Sequence, residues 1–213
     1  MRYSLNNYMQ KGIRYFRKKR FIKTFAQIDR TSGFGKDGCG KGCMIVGREH
    51  MYIGPECAFG SDTEFICLDS HFEQQLSPKL TIGKHVRMTS RCRITCAGNI
   101  TIGNDVLFAP DVFVTDHNHG MNPTLEGGYS KQPLVVNDVS IGEGTWCGQR
   151  VCILPGVIIG KHCIIGAGSI VTHSIPDYSM AVGNPAKVIK HWNCTKKKWD
   201  RCLFDTNESI NGL

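Results

Sequence analysis

Every sixth residue from Ile141 onward is apolar: Ile141, Cys147, Ile153, Ile159, Ile165 and Val171. The positions two before them, Val139, Thr145, Val151, Val157, Cys163 and Ser169, are apolar or small. The same triplet recurs upstream as "MYI", "CAF" and "TEF" between residues 51 and 65. It returns as "LTI", "VRM" and "CRI" between 80 and 94, then as "ITI", "VLF" and "VFV" between 100 and 114. Glycine often follows the ladder residue, as at Ile53, Ile82, Ile102, Ile141, Ile159 and Ile165. A sustained six matches neither the three-and-four spacing of a helix nor the irregular turning of a hairpin sheet. Three hexads instead make one coil of a triangular prism, in which each triplet is a short strand whose outer residues point inward. Glycines and polar residues then form the corners, and stacked coils bury one continuous core. The pattern predicts an all-β parallel solenoid over residues 46–190.

Breaks in the ladder mark interruptions of the prism. Phe65 to Ile82 is one residue short of three hexads, which predicts a bulge or irregular corner in "CLDSHFEQQLSPK". Two residues are added around "CAGN", between Ile94 and Ile102. The largest break, the 27 positions from Val114 to Ile141, counts as nine more than a full turn and predicts an extruded loop over residues 115–138. This loop opens on "DHNHG" and continues "MNPTLEGGYSKQP", rich in chain-punctuating residues. Long loops on rigid scaffolds are where function concentrates.

A solenoid must also cover its end edges. Residues 1–45 read as a basic capping segment, helical where Tyr15, Phe16, Phe21, Ile22 and Phe25 interleave with Arg14, Arg17, Lys18, Lys19, Arg20 and Lys23. Peripheral contact with an anionic membrane through this segment is the minority alternative. Residues 191–213 read as a C-terminal helix and tail, with Trp192, Trp199 and Leu203 against the last coil.

A length of 213 residues suits one substantial domain, and the net charge of +8 favours anionic partners. Nucleic acid is not expected, because the basic residues cluster at the ends without a recognition motif. No apolar run approaches the roughly 18 residues of a membrane span, and the first residues lack a secretory apolar core, so the expectation is a soluble, cytoplasmic protein. The eleven cysteines are odd in number and read as reduced thiols. Cys39/Cys43 and Cys92/Cys96 are CxxxC pairs, not the CxxC pairs of zinc ribbons, and read as small buried hydrophobes.

Three explanations compete for "DHNH". One is a solvated corner. Another is a metal site, since His117 and His119 project to the same face of an extended strand, with His71, His85 or His162 as a third ligand. The last is a general base, an imidazole positioned to take a proton from an alcohol.

Residues 140–190, "SIGEGTWCGQRVCILPGVIIGKHCIIGAGSIVTHSIPDYSMAVGNPAKVIK", taken with the ladder and the "TDHNHG" loop, resemble the hexapeptide-repeat acyltransferases. The likeness is nearest to the maltose, galactoside and nodulation-factor O-acetyltransferases and to polysaccharide O-acetyltransferases. It implies a single-stranded left-handed parallel β-helix and a homotrimer with active sites between subunits. It also implies acetyl-CoA as co-substrate, a saccharide acceptor in surface polysaccharide or glycolipid synthesis, and no metal. The γ-class carbonic anhydrases share this prism and hold a metal with histidines, one five residues after another. Five residues after His117 this chain has Asn122.

By position within the family motifs, His117 is the general base, and Asp116 or His119 orients it or contacts the sugar. Trp146 packs at the reaction centre, and backbone amides near Gly148 and Gln149 face the thioester oxygen. Ala167 and Gly168 approach the pantetheine arm, while Thr172, Lys187 and Lys190 contact the nucleotide and its phosphates. His173 stands where the family commonly has lysine. Where the family places an acceptor-binding asparagine this chain has "MTSR", residues 88–91, which leaves the acceptor open. The plainer alternative for each is structural: corner glycines, a tryptophan in a subunit contact, a solvated lysine face.

Overall fold

A computed structural model of the chain describes residues 17–36, 38 and 40–202. Three parallel sheets form the walls of the prism. The first contains Gln27–Ile28, Met51–Ile53, Lys79–Ile82, Asn99–Ile102, Val139–Ile141 and Ile158–Ile159. The third contains Met44–Val46, Glu64–Cys67, Arg93–Cys96, Phe113–Thr115, Cys152–Ile153 and Ile170–Val171. Between them in chain order runs the second, from Gly33–Phe34 to Ser179–Gly183, extended by the antiparallel strands Ala186–Asn193 and Lys198–Arg201.

All twelve inward positions between Val139 and Val171 are buried, at 2% exposure or less. The residues between them face outward, including exposed Trp146 and Ile158. Parallel pairing in register stacks like on like, as in Ile94 on Phe65 and Val114 on Ile94. Corners turn through left-handed backbone, for which glycine carries no steric cost: Gly144, Gly156 and Gly168 have φ of +67°, +82° and +73°. Asp105 and Asp111 take the same conformation, which aspartate tolerates better than most side chains.

Several boundaries differ from the sequence expectation. The ladder begins at Gln27, one coil before residue 46, because Gln27–Ile28, Gly33–Phe34 and Met44–Val46 pair in register with the next coil. Sequence periodicity missed it because this coil carries a long corner after Phe34. The breaks are also larger than counted. Val114 lies in the third sheet and Ile141 in the first, one face onward, so most of the 27 positions between them lie outside the prism. Phe65 and Ile82 are related in the same way. A six-residue period cannot say which of three faces a triplet occupies, and the shortfall of one residue was in truth an added hairpin.

At the C-terminus, residues 191–202 form strand and turn, not helix. The chain reverses after Gly183, and Ala186–Asn193 runs back along Ser179–Gly183. Trp192 and Trp199 then pair across the last two strands, with rings 5.5 Å apart. At the other end, a helix over residues 17–22 leads to Phe21 and Phe25. These cover the first coil through Phe34, which stacks 5.8 Å from Phe25 and meets Phe59 at 4.4 Å. The Arg48 guanidinium lies 4.9 Å above Phe21. Arg14, Tyr15, Phe16, Cys39 and Leu203 fall outside the described residues.

The thiols act as core atoms. Cys57, Cys67, Cys92, Cys96, Cys147 and Cys163 are free and buried. Burial pushes the Cys92 thiol up to about 11 from an ordinary 9.0.

Two measurements check this core. Truncating fully buried Ile153 to alanine should cost about 2–5 kcal/mol of unfolding free energy by urea titration, the range for a large-to-small core change. Since unfolded thiols ionise near 9.0 and folded Cys92 near 11, its stabilising contribution is complete below pH 9. Stability should fall as pH rises through that window, and a Cys92→Ala chain should lose part of that slope.

Candidate active site

The corner between the third and first sheets carries both excursions from the prism. A short hairpin, Ser70–His71 with Gln74–Gln75, leaves after Glu64–Cys67. The long one, His117–His119 with Leu134–Val136, leaves after Phe113–Thr115, two coils further on. Between them the intervening coil turns tightly through Ala97 and Gly98.

Asp116 opens the long excursion and is completely buried. Its carboxylate accepts the Ala97 N–H on Oδ1 and the Gly98 N–H on Oδ2, each at 2.8 Å. The same Oδ1 lies 2.8 Å from His117 Nδ1. A carboxylate so placed only accepts, so Nδ1 is the donor and carries the hydrogen. That assignment leaves His117 Nε2, without a hydrogen bond among the described residues, as the basic nitrogen. The His117 side chain is 13% exposed.

The return of the loop uses a second carboxylate. Asp138 Oδ1 accepts the Asn99 N–H at 3.0 Å and the Asn99 Nδ2 amide at 3.1 Å, and the Asn137 N–H reaches the Asp116 carbonyl at 2.7 Å. Both ends of the excursion are therefore tied to residues 97–99. Gly98 must lack a side chain, since a Cβ there would collide with Val136 Cγ1. Farther out, buried Gln132 clamps Asn122, accepting its N–H at 2.9 Å and donating to its carbonyl at 2.7 Å. Residues 121–131 are exposed.

The other anticipated site residues divide into groups. Gly148, Gln149, Ala167 and Gly168 meet at the corner between the second and third sheets, where the Gly168 N–H donates to the Gln149 carbonyl at 2.8 Å. A Cβ on Gly148 would lie 2.7 Å from the Ala167 nitrogen, so this glycine sets the spacing of two coils. The Gly148 N–H is already committed to the Ile165 carbonyl at 2.8 Å. It is therefore removed from the expected oxyanion donors, and at this corner the Gln149 N–H, like that of Ala167, lies outside the ladder. Gln149 Nε2 also donates to Asp111 at 3.3 Å. The Arg91 fork on Asp111, with Gln149 beside it, holds the Asp111 carboxyl below the ordinary carboxylate value.

Trp146 stands on the outer face of the second sheet, 47% exposed. Thr172 and His173 follow Ile170–Val171, at the His117 corner but two coils on, with Thr172 Oγ1 2.8 Å from His173 Nδ1. Lys187 pairs with Val182 beside the chain reversal, and Lys190 pairs with Met180 and Arg201. Within one chain the third sheet separates His117 from the Gly148–Gly168 corner.

Of the histidines named as possible third ligands, His71 has its ring 5.3 Å from that of His119, while His85 and His162 lie elsewhere. His85 lies between Glu56 and Asp105, and His162 stacks on Tyr178 at 5.3 Å. Among the described residues, the trio whose ligand atoms converge within 4.8 Å is Glu49, His50 and Asp69, not a histidine set around His117.

Residues 138–173 match the family model described as bacterial transferase hexapeptide, six repeats. That stretch of the chain carries the repeat of the hexapeptide transferases. Among curated proteins, WbbJ of Escherichia coli, assigned as a lipopolysaccharide biosynthesis O-acetyl transferase, is 37% identical over 125 residues, 55% of this chain and 63% of that protein. A Staphylococcus aureus protein assigned as an acetyltransferase is 36% identical over 62% of this chain and 65% of its own length. The chain thus aligns with just under two thirds of the length of these hexapeptide-repeat relatives. Solved structures share the fold. A mutant of AntD, an N-acyltransferase from Bacillus cereus, in complex with dTDP-4-amino-4,6-dideoxyglucose and coenzyme A, superposes with a TM-score of 0.66 at 19% identity, covering 84% of this chain and 90% of that one. A maltose O-acetyltransferase from Clostridium difficile gives 0.53 at 24% identity, covering 82% and 73%.

Sequence reasoning missed the partners of Asp116. Ala97 and Gly98 sit inside the "CAGN" insertion, noted as a phase break and not as a binding corner. The structural weight on Asp116 is open to test. Asp116→Ala strands the buried Ala97 N–H and the half-buried Gly98 N–H, at a cost of about 1–3 kcal/mol for a fully buried group. Urea unfolding should show a loss of several kcal/mol, whereas His119→Ala, on an exposed ring, should be nearly neutral.

Proposed function

We propose that this chain transfers an acetyl group from acetyl-CoA to a hydroxyl of a sugar or saccharide, in surface polysaccharide or glycolipid synthesis. The observation that carries the reading is the buried Asp116 carboxylate on His117 Nδ1, which fixes the ring tautomer and leaves Nε2 as a base. An alcohol is a weak nucleophile at neutral pH, and proton removal by a positioned imidazole as the new bond forms supplies about 10²–10⁴ in rate. Asp116, held by two amides, keeps the ring aligned and stabilises the imidazolium that results. His117 then returns the proton to the departing thiolate. No covalent enzyme intermediate is required. The Gln149 N–H is positioned as a donor to the oxyanion of the tetrahedral intermediate.

In this reading the solenoid is a left-handed coil assembled as a homotrimer, acting on the cytoplasmic side of the membrane. Separation of His117 from the Gly148–Gly168 corner within one chain supports it, since a neighbouring copy brings the two kinds of corner together. Exposed apolar residues on the outer faces, Leu107, Trp146 and Ile158, are suited to such contacts. Ala167 and Gly168 would line the pantetheine groove, with Thr172, His173, Lys187 and Lys190 toward the nucleotide. Among the described residues no helix is long and apolar enough to cross a membrane, and contact with the lipid surface falls to the basic residues around Lys18, Lys19 and Lys23. The relationship to WbbJ supports oxygen as the acceptor atom.

Coenzyme A release from acetyl-CoA, measured against a panel of sugars, tests the reaction. His117→Ala should retain its melting temperature and oligomeric mass while losing about 10²–10⁴ of kcat. Asp116→Asn should lose activity to a comparable degree through loss of the tautomer. Wild-type turnover in His117→Ala would overturn the assignment.

A further inference from the structure

The short hairpin at residues 70–75 does not merely bulge from the prism. Its Gln74 side chain reaches the long excursion and makes a closed pair of hydrogen bonds there. Oε1 accepts the Leu134 N–H at 2.6 Å, and Nε2 donates to the Leu134 carbonyl at 3.1 Å. Leu134 is the register partner of His119. Docking in this way sets the His71 ring 5.3 Å from the His119 ring. His119 and His117 alternate with Asn118 along one strand and so project from the same face of it. Three imidazoles from two excursions therefore share one surface, with the base at one end.

We propose that the short hairpin is part of the acceptor site and that His71 and His119 bind the acceptor as a pair, taking an uncharged, hydroxyl-rich ring and not an anionic one. The inference rests on the acetyl-transfer reading above and names its acceptor class. His71 Nε2 is shielded from solvent and has no hydrogen-bond partner, and the His119 ring makes no hydrogen bond among the described residues. Each ring offers one donor and one acceptor nitrogen when neutral, a set that matches neighbouring hydroxyls. The His71 ring is half-buried and the His119 ring beside it is exposed, so the pair is reached from solvent on the His119 side.

Charge supports the same choice. The chain carries a net +8, yet residues 68–77 contain no lysine or arginine and residues 115–138 contain one, Lys131. They do contain Asp69, Glu73, Asp116 and Glu126. A carboxylated or phosphorylated ring would meet more carboxylates than cations on the two excursions, with Lys131 as their single lysine, whereas a neutral ring avoids that repulsion.

The test compares wild-type, His71→Phe and His71→Asn chains on the neutral sugar that performs best in the acceptor panel and on its uronate. His71→Phe keeps a ring against His119 and removes both nitrogens. Its acceptor KM should rise about tenfold, as for one lost hydrogen bond, with kcat reduced less than threefold and acetyl-CoA affinity by calorimetry unchanged. His71→Asn should restore part of the KM. Wild type should prefer the neutral sugar over its uronate. An unchanged KM in His71→Phe, or equal use of the uronate, would overturn the assignment while leaving acetyl transfer intact. Absence of acceptor-dependent coenzyme A release from wild type would overturn the reaction itself, and this assignment with it.

Discussion

The working surface of this molecule depends on one buried carboxylate. Asp116 sits where the chain leaves the prism, and it satisfies the two N–H groups of the tight turn below while gripping the imidazole beside it. Buried charge is costly unless fully hydrogen-bonded, and here every bond it makes has a structural effect. The bonds to Ala97 and Gly98 seal a corner that has no side chain to fill it. The bond to His117 converts a loop residue, free to turn, into one with a single orientation. Loop closure and imidazole orientation are consequences of the same contact.

The prism makes such a contact possible because its coils are rigid and close. Inward ladder positions from Met51 to Val171 stack at 3% exposure or less, so corner residues of successive coils recur at fixed spacing. A residue that begins an excursion in one coil therefore finds the amides of the preceding coil in a constant place. Excursions need not be rigid throughout. The long one is pinned at its base by Asp116 and Asp138, in its middle by Gln132, and at its far strand by Gln74 from another excursion. Precision is greatest at the prism, where His117 is, and declines outward.

The walls were legible in the sequence because their physics is local and periodic. Val139 to Val171 alternate inward and outward as the hexads require, and His117 stood at the break in the ladder. What lay beyond reach was anything that depends on which face a triplet occupies. The period is the same on all three faces, so the size of both excursions and their shared corner were lost together, while the first coil from Gln27 was hidden by its long corner. The C-terminal strands escaped for a different reason. "AKVIKHWN" has too short an apolar pattern to separate strand from helix, and the partner that decides it, Ser179–Gly183, is set by the chain reversal. Asp116 and His119 looked equivalent as supports for His117 because spacing carries no hydrogen bonds. Burial distinguishes them, at 0% for one and an exposed ring for the other.

The closing hairpin at Trp192 and Trp199 limits how this architecture can change. It continues only the second sheet, and it does so antiparallel, which ends the three-walled repeat: a further coil has no parallel template on that wall. The aromatic stack of Phe21, Phe25 and Phe34 stops the opposite end. With both described ends of the prism closed, added length is accommodated sideways, at a corner, without unseating either cap. The corner between the third and first sheets already holds two such additions, braced against each other, so new segments inserted there alter what the molecule recognises without disturbing what holds it up.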